Sequence, residues 1–222
     1  GVMDLKTIVF DYNGTLVDDL QLHVEAYYQA GRQLGFELSR EAVQRHISQP
    51  PSAKRRLYFG NISEAQWSQL VELRQTIYTQ LAAPAAPLFA DTARVLQTLS
   101  GRYTLGIVSN TLRPLFEQLF PPPLADLFTD TLFFDEVAEP KPSPAPLRTL
   151  LGRLGAAPQA SIYVGDAVED VCMARAAGVR AFAVATGACP PEELAAAGAD
   201  WVGSSLSALA GRLLPNPRSE PG

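Results

Sequence analysis

The chain is poor in cysteine, histidine and lysine. It has two cysteines (Cys172 and Cys189), two histidines and, among 18 basic residues, only three lysines: Lys6, Lys54 and Lys141. Two cysteines make no disulfide framework, so the composition points to a reduced, cytoplasmic protein. Positive charge is also in deficit. The formal net charge is −5, which argues against a nucleic-acid surface, since that needs clustered basic residues. No apolar run approaches the ~18 residues needed to cross a bilayer, and no basic segment followed by an apolar stretch reads as a signal peptide. Neither nucleic acid nor membrane is an expected partner. Charged residues make up 18% and hydrophobic residues 47%, which excludes a disordered chain. The 222 residues suffice for one large domain or two small ones. Where a generic positive charge is wanted the chain uses arginine, so each lysine is a candidate for a specific role.

What is present alternates between two styles. Lys6-Thr-Ile-Val-Phe-Asp-Tyr12 is a short, β-branched apolar run ending at Asn13-Gly14. An apolar run without alternation suits a strand buried on both faces of a parallel sheet. From about Leu22 to Ala83 the spacing turns helical, with Leu22, Ala26, Tyr27, Ala30 and Leu34 in register. Pro50-Pro51 interrupts that pattern, and Ser63 with Gln66 reads as a capping box opening a helix to about Ala82. After Pro84 and Pro87, strands and helices alternate. Strands are expected over 103–108, 131–134, 161–164, 181–185 and 200–202. Helices are expected over 91–99, 112–120, after Pro144, and over 168–177, 190–197 and 206–214. The alternation implies parallel βαβ units. The expectation is an α/β fold, a Rossmann-like parallel-sheet core over 1–18 and 84–214, with an α-helical cap inserted at 19–83. The proline-rich tail 215–222 is expected to be disordered.

In open parallel sheets, ligands bind outside the carboxyl ends of the strands. Asp11, Ser109 and Asp166 all fall at such ends. Any one of them alone reads equally well as a cap of the following helix; the three together form a constellation. Val9-Phe-Asp11-Tyr-Asn13-Gly-Thr15-Leu-Val-Asp18 resembles the first motif, D-x-D-G-T, of the haloacid dehalogenase superfamily. Val108-Ser109-Asn110 resembles the second motif, Lys141-Pro142 the third, and Gly165-Asp166-Ala-Val-Glu-Asp170 the fourth, G-D-x-x-x-D. All four occur in the family's order. The helical block lies where subclass I members, phosphoglycolate phosphatase among them, carry a helical cap.

The resemblance implies a Mg²⁺-dependent phosphatase acting on a small phosphomonoester, as a monomer or homodimer. Asp11 would be the nucleophile that forms an aspartyl-phosphate. Asp11, Asp166 and Asp170, with the backbone carbonyl of Asn13, would hold Mg²⁺. Ser109 and Asn110 would bind phosphoryl oxygens, and Lys141 would neutralise their charge and that of the nucleophile. The substrate would lie between core and cap, selected by cap loops expected in the Gln49–Gly60 segment. Arg113 reads either as a substrate contact or as a helix-surface residue.

Position 13 departs from the pattern. Phosphatases of the family carry an acid–base Asp there, and an amide has no titratable proton near neutral pH. General acid–base catalysis is worth about 10²–10⁴-fold. Three explanations stand open: a phosphatase that is slow or restricted to good leaving groups, an impaired protein that binds phosphorylated ligands or accumulates phospho-Asp11, or an engineered substitution. Asn13-Gly14 is also a deamidation-prone pair. Phosphonoacetaldehyde hydrolases of the superfamily use a cap lysine as a Schiff base. Lys54 is the only cap lysine, although Lys54-Arg55-Arg56 reads more simply as a solvated or substrate-facing basic patch. His23 and His46 read as surface residues, and Cys172 as buried filler beside Ala176.

Overall fold

A computed structural model describes residues 4–214; the 215–222 tail lies outside the described residues. The chain divides into two compact units, one made of the chain up to Asp18 and from Pro87 on, the other of Asp19–Ala86. Residues 84–86, expected with the core, therefore cluster with the helices. The re-entry point is set by backbone pairing: the Asp18 N–H donates to the Pro87 carbonyl (2.8 Å), and Val17 bridges Leu88.

The helical unit contains α1 (Leu20–Gln33), α2 (Arg40–His46), α3 (Pro51–Phe59) and α4 (Glu64–Ala82). The Ser63/Gln66 capping box starts α4, with the Gln66 N–H donating to Ser63 Oγ at 3.2 Å. The segment expected as cap loops is instead mostly α3. Pro51 occupies its first turn, where a missing N–H costs nothing. The buried stripe of α1 runs through Val24, Ala26, Tyr27 and Ala30. Tyr78 and Asp19 are both buried, and the tyrosine hydroxyl donates to Asp19 Oδ2 at 2.6 Å. His23 is no simple surface residue. Half-buried, it lies 3.0 Å from the same carboxylate oxygen and stacks on the Tyr78 ring at 4.6 Å.

The core unit is a six-stranded parallel sheet of β1 (Thr7–Phe10), β2 (Thr104–Ser109), β3 (Asp130–Phe133), β4 (Ser161–Gly165), β5 (Arg180–Val184) and β6 (Trp201–Gly203). Its order is β3-β2-β1-β4-β5-β6. It is flanked by α5 (Thr92–Ser100), α6 (Arg113–Leu119), α7 (Pro122–Ala125), α8 (Ala145–Leu154), α9 (Val168–Ala176), α10 (Pro191–Ala196) and α11 (Leu206–Leu213). β1 is wholly buried, with Phe10 paired to both Ile107 and Val164. Val9, Val108, Leu132 and Tyr163 pack with Leu147 and Leu150 of α8 and with Val171 and Met173 of α9. Each large apolar side chain so buried contributes roughly 1.5–3 kcal/mol. Tyr12 packs edge-on against Phe116 (5.5 Å) and Phe120 (5.6 Å), anchoring the loop that follows β1.

Two local expectations are corrected. Pro122 does not merely stop α6 but opens the short α7. Cys172 is exposed: α9 turns Asp170, Val171, Met173 and Ala174 inward, and Cys172 with Ala176 lies on the opposite face. With the charged Asp170 on the inward face and Cys172 on the outward one, the helix carries little polarity contrast from which to read a face. Among the described residues, no helix is long and apolar enough to cross a membrane.

Candidate active site

The topology converges on β1. The chain runs outward from it to β2 and β3, then crosses to β4 on its other side, which makes the β1/β4 carboxyl rim a switch point where crevices form. Asp11 follows β1 directly, and its N–H donates to the Val164 carbonyl at 2.8 Å, extending the ladder by one residue. Ser109 ends β2, Asp166 follows β4, and Asp170 lies in the first turn of α9. All four are buried.

Carboxylate oxygens of Asp11, Asp166 and Asp170 lie within 4.8 Å of one another. Lys141, buried at 6% exposure, bridges two of them. Its ammonium donates to Asp11 Oδ1 at 2.8 Å and to Asp170 Oδ1 at 2.7 Å. The other oxygen of Asp170 accepts the backbone N–H groups of Asp166 (3.1 Å) and Ala167 (3.0 Å), so this carboxylate caps its own helix while it holds the lysine. Asp166 lacks the lysine and accepts the Thr15 hydroxyl at 2.8 Å.

Three carboxylates against one ammonium leave two negative charges uncompensated, and the ionisations respond. Burial, then the charges of Asp11 and Asp170, push Asp166 well above the ordinary carboxylate range. Burial and Asp11 push Asp170 up to about 6, against the opposing pull of Lys141. Burial works against the Lys141 charge, but Asp11 and Asp170 outweigh it and hold the ammonium well above the usual lysine value. A buried, all-oxygen donor set two charges short fits a hard divalent cation such as Mg²⁺. The backbone is shaped to the same end: a Cβ at Gly187 would lie 1.9 Å from Asp166 Oδ2, and one at Gly14, where φ is +74°, would lie 2.6 Å from it.

Asn13 is half-buried, and its Oδ1 accepts a short hydrogen bond from the Thr111 hydroxyl. Ser109 Oγ accepts the Thr111 N–H at 3.1 Å, with Asn110 half-buried between them. Arg113 is drawn elsewhere. Its guanidinium donates to Glu136 (2.8 Å) and to the Thr131 carbonyl (3.0 Å), and stacks over Phe133. Lys54 belongs to the helical unit, where its ammonium donates to the Ile47 carbonyl at 3.4 Å and faces the Tyr27 ring.

The sequence reading missed several contributors. Tyr163 donates to the Val108 carbonyl at 2.6 Å and lies 3.4 Å from the Lys141 ammonium. A tyrosine within an apolar, fully buried strand needs such a partner, and that was its signal. Thr15 stands in the D-x-D-G-T motif, which names the residue but not its partner; Thr111 and Thr186, the last donating to the Gly14 carbonyl at 2.6 Å, carried no signal beyond lying next to strand ends.

The family model described as haloacid dehalogenase-like hydrolase matches residues 8–184. A phosphoglycolate phosphatase of Vibrio vulnificus is 28% identical over 221 residues, covering 93% of this chain and 95% of the relative. Pyrophosphatase PpaX of Bacillus velezensis is 28% identical over 210 residues, covering 92% and 94%. The crystal structure of CbbY from Rhodobacter sphaeroides in complex with phosphate shares the fold at a TM-score of 0.76 and 23% identity, covering 92% of this chain and 96% of that one. With its motifs in the family's order, its parallel sheet, and its carboxylates and lysine drawn together at the switch point, this chain belongs to the haloacid dehalogenase-like hydrolases.

Proposed function

We propose that this hydrolase removes the phosphoryl group from a small phosphorylated metabolite in the cytoplasm, by way of an aspartyl-phosphate on Asp11. The observation that carries the reading is the Lys141 bridge. A buried carboxylate at the switch point is held by an ammonium that leaves the cluster still in need of positive charge.

Asp11 attacks phosphorus. Lys141 orients one of its oxygens and offsets the charge that gathers as the phosphate dianion approaches. Ser109 and Asn110, at the end of β2, hold phosphoryl oxygens. Asp166 and Asp170, with Asp11, would hold Mg²⁺, assisted by the Asn13 carbonyl. Bound there, the ion supplies charge neutralisation and alignment of the phosphate. Asp170 keeps Lys141 in place through one oxygen and the start of α9 through the other. The helical unit, inserted between the first and second motifs, selects the substrate. The relatives' names cite a phosphate ester (phosphoglycolate) and a phosphoanhydride (pyrophosphate), which bracket the candidate chemistry.

The test is phosphate release from p-nitrophenyl phosphate by the full chain, with Mg²⁺ and with EDTA, beside an Asp11→Asn control. Mg²⁺-dependent turnover above the control is expected. Turnover no higher than the control would overturn the reading.

A further inference from the structure

Four hydroxyls around the carboxylates direct their protons at protein acceptors, and the Ser109 hydroxyl, which accepts the Thr111 N–H, is assigned to the phosphoryl oxygens. The Thr111 hydroxyl donates to Asn13 Oδ1, the Thr15 hydroxyl to Asp166, the Thr186 hydroxyl to the Gly14 carbonyl, and the Tyr163 hydroxyl to the Val108 carbonyl. The Lys141 ammonium is clamped between Asp11 and Asp170. Asn13 presents an amide, which has no titratable proton. With Asp166 assigned to the cation, these described residues supply a nucleophile and a charge clamp but no side chain left to protonate a departing oxygen. Breaking a P–O bond without a proton donor is fast only when the leaving group is stable as an anion. An alkoxide is not; a carboxylate, a phosphate or an activated phenolate is.

We propose that the substrates of this site are activated phosphates, acyl phosphates or phosphoanhydrides, and that simple alkyl phosphates are turned over poorly. This rests on the reading of Asp11 as nucleophile. In the first step an Asp11 oxygen forms a bond to phosphorus. The P–O bond to the leaving group breaks, and the electron pair departs with a carboxylate or phosphate anion that needs no proton. In the second step water attacks phosphorus and the P–O bond to Asp11 breaks. The carboxylate is regenerated, inorganic phosphate keeps the new hydroxyl, and one proton goes to solvent. Phospho-Asp11 is itself an acyl phosphate, so this cleavage also expels a stable anion. One chemical rule governs both half-reactions.

The experiment is a leaving-group series measured with Mg²⁺ as kcat/KM: acetyl phosphate, pyrophosphate, p-nitrophenyl phosphate, phenyl phosphate and ethyl phosphate. The full chain is compared with Asn13→Asp and Asp11→Asn. The expected result is a fall of about 10³-fold or more from p-nitrophenyl to ethyl phosphate, and a narrowing of that ratio by roughly 10²–10⁴ in Asn13→Asp. Acetyl phosphate and pyrophosphate decide which activated class is preferred. Ethyl phosphate within tenfold of p-nitrophenyl phosphate would overturn the proposal, because another group must then supply the proton. So would an Asn13→Asp variant that changes every substrate by the same factor. Loss of all turnover to the Asp11→Asn level would instead remove the nucleophile reading itself.

Discussion

Removing a charge from the carboxylate cluster is expected to stabilise the metal-free protein, and Asp166→Asn is the substitution that isolates the effect. Unit charges within 4.8 Å of one another repel by about 3–4 kcal/mol or more at an effective dielectric near 20. Asp166 faces two such neighbours and has no lysine of its own. Proton uptake limits the penalty: holding a proton at pH 7 on a carboxyl with an ordinary value of 3.8 costs about 4 kcal/mol, at ~1.4 kcal/mol per pH unit. Asparagine keeps the oxygen that accepts the Thr15 hydroxyl and removes the charge. A gain of about 1–3 kcal/mol in EDTA at pH 7 is expected, read as a rise of roughly 3–10 °C in Tm.

The pH dependence identifies the cause. Asp166 is raised in the folded state, so the folded protein binds this proton more tightly than the unfolded chain does. The penalty is absent below about pH 4, where both states hold the proton, and it grows as pH rises. The variant and the parent should therefore melt together near pH 4 and diverge towards pH 7. Added Mg²⁺ should raise the parent far more than the variant. A variant no more stable than the parent at pH 7, or a gap that does not change with pH, would refute the charge argument.

Three further outcomes follow from particular contacts. Lys141→Met leaves Asp11 and Asp170 without their shared cation; a loss of about 3–5 kcal/mol is expected in chemical denaturation in EDTA, and a loss below 1 kcal/mol would mean that protonation absorbs the charge. Gly187→Ala puts a methyl group where Asp166 Oδ2 now lies; the Mg²⁺-induced rise in Tm should shrink or vanish, and an unaltered Mg²⁺ titration would show that the carboxylate relocates freely. Tyr78→Phe removes a 2.6 Å hydrogen bond to the buried Asp19 carboxylate, for an expected cost of about 1.5–3 kcal/mol in urea unfolding; no change in the midpoint would place the burden on His23.

Much of the core was legible because strand burial leaves a local trace. Thr7–Phe10 and Ser161–Gly165 are apolar without alternation because both sheet faces are covered, and Asp11 and Asp166 stand out as the first carboxylates after them. The helix over 64–82 was legible for a similar reason, since a capping box is a contact three residues long. The exposure of Cys172 was not legible because the inward-facing Asp170 of α9 erases the polarity contrast that marks a face. The helix within segment 49–60 was not legible because a proline that begins a helix looks, in sequence, like one that ends it.

By itself, the sequence determined the alternation of elements, the inserted helices, the order of the motifs and the amide at position 13. Each of these is a property of neighbouring residues or of residue identity. Only the tertiary structure decided that one ammonium bridges Asp11 and Asp170, that Arg113 turns to Glu136, and that Thr111 occupies the Asn13 oxygen. Those partners lie between 23 and 130 residues apart in the chain, and no local pattern encodes a separation that arises only when the strands pair. The proton inventory of the site belongs to the second group. A threonine hydroxyl can donate anywhere until folding assigns it an acceptor.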